Sequence, residues 1–294
     1  MKIGIMPFFV DPYITDVAWV TEFLRESEKA GAESVWTCEH PIIAEDYQPL
    51  YEYSSDGRAP MTLDTAMPDP LDWLAFAAGI SSTLKLGTGV LLLPLQSPVM
   101  LAKRVASIDR LSGGRMLLGV GLGWQIEEFQ AMHVPYKERG KRMDEGIEAM
   151  RALWAPGASA YRGDIFQFEK LHMHPKPRRP VPIIIGGSTE AAAKRAGRLG
   201  DGFYPHAISP EDFAKRLDTL RAAAREAGRD ASQIELTIAP WAYRNSTWDV
   251  GVIRAYAELG VTRYLIGPMD IDATAPAEYG AMIRRFQDTI LARI

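Results

Sequence analysis

Eight short apolar runs recur along the chain, and a segment with helical spacing follows each of them. The runs are Lys2–Pro7, Glu33–Thr37, the stretch from Lys85 into Gly87-Thr88-Gly89, Arg115–Val120, Pro182–Ile185, Asp201–Tyr204, Ile234–Ala239 and Thr262–Ile266. Buried strands that alternate with helices pair in parallel and need helical cover, and eight such units favour closure into a (β/α)8 TIM barrel over an open doubly wound sheet. Residues 1–294 are read as one α/β domain with two insertions at its C-terminal face. The first, at about 42–70, is irregular and carries Tyr47, Tyr51 and Tyr53; loops of this length in a compact fold are usually functional lids. The second, at about 156–181, contains a small β excursion around Tyr161–Phe168 and a proline-rich connector.

Local signals set the element ends. Thr15 is expected to cap a helix that buries Val17, Val20, Leu24 and Ser27 and stops at Gly31. Ser97-Pro98 opens another helix, with Leu101, Val105, Ile108 and Leu111 on its inner face and Gly113-Gly114 as its stop.

With a formal net charge of −4, the overall field offers no reason to bind nucleic acid or an anionic membrane, so any anionic ligand needs a local arrangement. Cys38 is the one cysteine, which excludes an intrachain disulfide and a cysteine-based zinc cluster and fits a reducing cytoplasm. There is no apolar run of membrane-spanning length and no signal-peptide core, so the expected partners are small molecules in a cytoplasmic setting. Apolar helix faces leave room for a homodimer.

In a parallel barrel the working residues lie at the C-terminal strand ends. That selects Pro7-Phe8, Glu39-His40, Gly89-Val90, Gly121–Trp124, Gly186–Thr189, Phe203–His206, Pro240-Trp241 and Gly267. Ile185 into Gly186-Gly187-Ser188-Thr189 is a strand, two glycines, a hydroxyl pair and a helix start, which presents backbone N–H groups to a phosphate. A tight turn in which Ser188 or Thr189 only caps the helix explains the same residues. His40 can carry a proton near neutral pH with Glu39 beside it; a structural histidine bonded to backbone is the alternative. Glu127, after the fourth strand, can bond a polar edge of a cofactor or stand as a solvated charge in a first helical turn. His172-Met173-His174 invites a metal reading, but a third ligand is not apparent, and no metal site is assigned. Gly119, Gly121 and Gly123 are spaced G-x-G-x-G, which is not the dinucleotide fingerprint.

The run GTGVLLLPLQSPVMLAKRVASIDRLSGGRMLLGVGLGWQIEEF, the later VPYKERGKRMDEGIEAMRALW and the PVPIIIGGST turn resemble the luciferase-like monooxygenase family, and within it the F420-dependent oxidoreductases. The likeness extends over nearly the whole chain. It is strong over 84–154 and 181–204 and weak in the 42–70 loop and the last third. The resemblance implies a flavin or deazaflavin at the C-terminal face, with Gly89-Val90 as a non-proline cis peptide behind its ring. Gly186 and Gly187 match the family's phosphate-binding turn, and His40 matches a histidine that several F420-dependent members place beside the reactive ring carbon. Ser188 and Thr189 of the same turn, and Trp124, Glu127, Phe203 and Tyr204 at or after the strand ends, are the other residues expected at the cofactor site. Where sugar-phosphate dehydrogenases of the family carry a glutamate after strand four, this chain has Trp124.

The expected function is hydride transfer between coenzyme F420 and a small organic substrate, with His40 and Glu39 as the catalytic pair. Three alternatives stand beside it. The first is an FMN-dependent monooxygenase that uses oxygen and is supplied by a separate reductase. The second is a non-catalytic flavin-binding barrel. The third is a metal hydrolase barrel, disfavoured by the lack of a clustered ligand set.

Overall fold

The computed structural model describes residues 1–7, 9, 12–239, 248–267 and 274–294. Phe8, Pro240 and Trp241 lie outside them. Eleven strands and nine α-helices alternate through these residues. The strands are β1 (Lys2–Ile5), β2 (Ser34–Thr37), β3 (Lys85–Thr88), β4 (Leu91–Leu92), β5 (Met116–Gly121), β6 (Ser159–Arg162), β7 (Gln167–Leu171), β8 (Ile183–Gly186), β9 (Gly202–Tyr204), β10 (Glu235–Ile238) and β11 (Arg263–Ile266). The helices are α1 (Val17–Lys29), α2 (Pro70–Ile80), α3 (Pro98–Leu111), α4 (Ile126–Ala131), α5 (Arg139–Trp154), α6 (Glu190–Leu199), α7 (Pro210–Glu226), α8 (Val250–Glu258) and α9 (Pro276–Thr289).

Eight strands, β1, β2, β3, β5, β8, β9, β10 and β11, pair in parallel. The ring closes because β1 also pairs with β11 and β3 with β5, so this is the (β/α)8 TIM barrel that the alternation predicts. Two-residue β4 continues the third strand alongside β5. The β excursion is an antiparallel hairpin of β6 and β7, and residues 42–69 contain neither helix nor strand.

Two hydrophobic layers result. The outer one lies between strands and helices. The inner one fills the barrel with Met6, Trp36, Leu117, Ile184, Tyr204, Ala239 and Leu265. Trp36, fully buried, dominates this interior, and a Cβ added at Gly87 on the neighbouring strand would lie 2.4 Å from its ring. Glycine there is what admits the indole. Below it Arg263, also fully buried, donates to Glu33 at 2.8 and 3.0 Å, to Glu235 at 3.1 Å and to the Thr237 hydroxyl at 3.1 Å.

Two helix faces differ from the sequence expectation. Asp16, not Thr15, caps α1 by accepting from the Trp19 N–H. The buried stripe is Trp19, Val20, Phe23, Leu24 and Ser27, and Val17 is 65% exposed. The register is set by Trp19, whose indole donates to Thr274 O at 2.7 Å and stacks on Phe23. On α3, Leu111 is 83% exposed, because the helix ends at Ser112 and its last residue lies past the inner face.

Burial works to raise the Glu33 carboxyl, but the Arg263 bonds and charge bring it down to about 2. That stabilisation is present above the ordinary carboxylate range and is lost as pH falls towards 2. Removing the guanidinium leaves Glu33 and Glu235 at the barrel floor with only the partly exposed Lys85 and Lys2 beside them. Arg263→Met is therefore expected to lower unfolding stability by roughly 3–5 kcal/mol in urea titrations at pH 7; a loss below about 1 kcal/mol would contradict this role.

Candidate active site

The third strand delivers the first wall. Gly89–Val90 is a non-proline cis peptide, as the family resemblance implies. The Val90 side chain stands over the ends of two neighbouring strands: Cβ atoms added at Gly121 and Gly186 would lie 2.5 and 2.6 Å from its methyls. Only glycine at those strand ends leaves room for Val90 at the barrel mouth. Glu39 N–H donates to Val90 O at 3.2 Å, which ties the end of the second strand to this wall.

His40 follows directly. Its Nδ1 lies 2.9 Å from Glu128 Oε1, and Glu128 is fully buried. A carboxylate accepts, so the contact places the ring proton on Nδ1 and leaves Nε2 for a ligand. The adjacent Glu39 faces elsewhere: its carboxylate accepts from Leu92 N–H at 2.5 Å and from Gln96 at 2.8 Å. Burial pushes the Glu39 carboxyl up to about 7 despite the Leu92 bond.

Trp124 forms the next wall, 5.7 Å from the His40 ring and edge-on to Tyr47 and Tyr51 at 5.0 and 5.4 Å. The 42–70 loop is bonded to the same turn, because Glu127 Oε1 accepts from Gln48 N–H at 3.1 Å and Gln125 Nε2 donates to Ile42 O at 3.3 Å. Trp124 Nε1, Glu127 Oε2 and Glu128 Oε2 are buried and have no partner.

Across the mouth lies the Gly186–Thr189 turn. Gly187 sits at φ 111°, which favours glycine, and donates to Tyr204 O at 3.2 Å. The Ser188 hydroxyl donates to His206 O and accepts from His206 N–H at 3.1 Å. Thr189 caps α6 by accepting from Ala192 N–H at 3.2 Å, and leaves the Glu190 and Ala191 amides at the open helix end. Of the two readings of this turn, the helix cap is the one seen directly, on Thr189. Burial pushes the His206 imidazole down to about 4, so at neutral pH it brings no positive charge to the turn.

Of the remaining expected residues, Tyr204 belongs to the barrel interior, 5.7 Å from Trp36. Phe203 faces the opposite way and stacks on Phe213 of α7 at 6.3 Å, because side chains alternate along a strand. It does not line the mouth. His172 and His174 are exposed on either side of buried Met173, and no group of three or more metal-capable side chains occurs among the described residues. Burial pushes the Cys38 thiol up to about 12, as expected of an inert thiol. Sequence reasoning missed Glu128 as the partner of His40. No residue near either one in the sequence signals the pairing, and the burial of Glu128 and Phe129 on α4 shows only in the fold.

A family model described as luciferase-like monooxygenase matches residues 3–269. The chain belongs to the luciferase-like monooxygenase family. Members of this family are oxidoreductase enzymes, and the chain is one of them. It is 29% identical over 225 residues to an F420-dependent glucose-6-phosphate dehydrogenase of Kineococcus radiotolerans, covering 74% of this chain and 62% of that one. Two solved structures share the fold of this luciferase-like chain. Monooxygenase RslO1 of Streptomyces bottropensis superposes with TM-score 0.76 at 23% identity, covering 99% of each chain. An F420-dependent secondary alcohol dehydrogenase in complex with an F420–acetone adduct superposes with TM-score 0.75 at 19% identity, covering 100% of this chain and 99% of that one.

A raised carboxyl draws protons into the folded state, so the Glu39 contribution to stability falls as pH rises from its ordinary 4.5 to about 7. Glu39→Gln keeps an acceptor for Leu92 N–H and removes this penalty. Thermal melts should show the variant gaining on the parent protein by several degrees at pH 8 and not at pH 5; an equal shift at both values would contradict the assignment.

Proposed function

We propose that the protein is an F420-dependent oxidoreductase that moves a hydride between the deazaflavin and a small organic substrate, with His40 as its proton-transfer residue. The observation that carries the reading is the His40 Nδ1–Glu128 Oε1 contact of 2.9 Å, next to the tie between Glu39 and Val90 at the barrel mouth.

The residues present fit such a cofactor. The first amides of α6, after the Thr189 cap, offer a helix N-terminus to a phosphate, Val90 offers a projecting apolar surface to a flat ring, and Trp124 Nε1 and Glu127 Oε2 are a buried donor and acceptor in want of partners. When bound, F420 supplies two-electron hydride chemistry at the central carbon of its ring.

The protein's own part is proton handling and enclosure. Glu128, with its carboxylate on Nδ1, holds the imidazole in one orientation and one tautomer. His40 Nε2 then accepts a proton from a substrate hydroxyl or returns one to a carbonyl oxygen. Glu39 acts at one remove, by anchoring the Leu92–Gln96 segment and the Val90 carbonyl. The tyrosine loop, bonded to the Trp124–Glu128 turn, limits water over the site.

Titration of the purified protein with F420 and with FMN tests the cofactor. Saturable F420 binding with weaker or no FMN binding is expected, whereas FMN binding without F420 binding would favour a monooxygenase supplied by a reductase. His40→Ala should leave the F420 dissociation constant within about threefold and lower kcat roughly 10²–10⁴-fold. Unchanged turnover with a good substrate would remove His40 from the mechanism.

A further inference from the structure

Arg139, the first residue of α5, holds a cation beside the 42–70 loop with one edge unused. Its guanidinium lies over the Tyr136 ring, with Cζ 3.8 Å from the centroid, and Nη1 donates to Tyr136 O at 3.0 Å. Tyr136 is fixed in turn: its hydroxyl donates to Trp124 O at 3.2 Å, and Phe129 meets its ring edge-on at 5.1 Å. These contacts use one face and one nitrogen of the guanidinium. Nε is buried without a partner, and among the described residues no carboxylate pairs with this arginine. A purely structural arginine would be complete with the Tyr136 ring and carbonyl; the buried Nε is what those contacts leave over.

A guanidinium stacked on a ring keeps its N–H groups in its own plane, and the Nε–Nη2 edge can take two oxygens at once. Because the ring and the Tyr136 carbonyl already hold that edge in place, little freedom is lost when a ligand takes it. Glu52 of the loop is close enough for the Arg139 charge to oppose the burial that raises its carboxyl. A phosphate dianion on the edge would meet twice the repulsion from Glu52 that a singly charged carboxylate meets. The start of α5 borders both sides of the mouth. Tyr136 bonds to Trp124 O on one, and Gly140 O accepts from Arg195 of α6 at 3.5 Å on the other.

We propose that the Nε–Nη2 edge of Arg139 is a carboxylate-binding subsite of the barrel mouth. The carboxylate belongs to the substrate or to the acidic tail of the deazaflavin, which present the same planar two-oxygen group. The identity of the ligand rests on the hydride-transfer reading; the subsite itself rests on the arginine. Arg139 binds and orients, and takes no part in hydride or proton transfer.

Nitrogen-15 NMR of the arginine Nε–H groups tests the subsite on the intact protein, with the Arg139 signal assigned by its absence from Arg139→Lys. Cyclohexanecarboxylate, its uncharged analogue cyclohexanecarboxamide and inorganic phosphate are titrated in turn, first without cofactor and then with F420 bound. In the cofactor-free protein the carboxylate should shift the Arg139 signal and bind roughly tenfold to a hundredfold tighter than the carboxamide. Arg139→Gln should abolish that preference, read by calorimetry. The cofactor then identifies the source. If the tail is the ligand, F420 shifts the signal, its ring fragment without phosphate and tail does not, and bound F420 blocks the carboxylate. If the substrate is the ligand, the carboxylate shifts the signal equally with F420 in place. No shift by the carboxylate in the cofactor-free protein, equal binding of the carboxamide, or tighter binding of phosphate would overturn the proposal. Failure of F420 to bind removes the hydride-transfer reading alone, because the cofactor-free titration decides the subsite by itself.

Discussion

The barrel interior is set by one packing constraint, the burial of Trp36 among strands too closely spaced to admit it beside ordinary side chains. Gly87 gives it space on one side, and Arg263 lies beneath, its guanidinium carbon 5.6 Å from the indole ring. With the lower barrel filled in this way, the next layer is displaced towards the mouth. Val90 rests there over Gly121 and Gly186, backed by Tyr204 and Ile184. The Val90 layer at the mouth is thus built on Trp36, and through it on the ion pairs of Arg263.

From that platform the mouth divides into two chemically different halves. The half on the Gly186–Thr189 turn is backbone, with amides and a helix end that attract negative charge. The half around His40 is side chain, with Trp124, Tyr47 and Tyr51 beside the Glu127 and Glu128 carboxylates, and Tyr53 crosses from it to His206 at the turn. A cofactor with a phosphate at one end and a redox ring at the other matches this division, and the opposed electrostatics favour one orientation over its reverse. The net charge of −4 makes the distinction sharper, because the helix end is a local exception to the overall field.

Much of this was legible in the sequence, because strand and helix periods and glycine positions are local properties. The eight strands follow from residues adjacent in the chain, and the cis bond at Gly89–Val90 from the family resemblance. What was not legible depends on distance. Glu128 meets His40 across 88 positions, and nothing near either residue announces the partner. Glu39 was paired with His40 because it is its neighbour, but neighbours in an extended chain point to opposite sides, and its carboxylate serves Leu92 and Gln96. Phe203 and Tyr204 were read as one unit, and the same alternation separates them. Val17 and Leu111 were placed inside from apolar character alone; both sit at helix ends, where the buried stripe has turned away.

The central claim is that one face of the barrel, framed by Val90, His40 and the Ser188 turn, binds a deazaflavin in a single orientation. A crystal structure of the F420 complex tests it most directly. The account predicts the ring against Val90, the phosphate on the amides at the start of α6 and His40 Nε2 within reach of the reactive carbon, with Glu128 still on Nδ1. A ring bound away from Val90, or a phosphate on side chains elsewhere with the Ser188 turn empty, would contradict it.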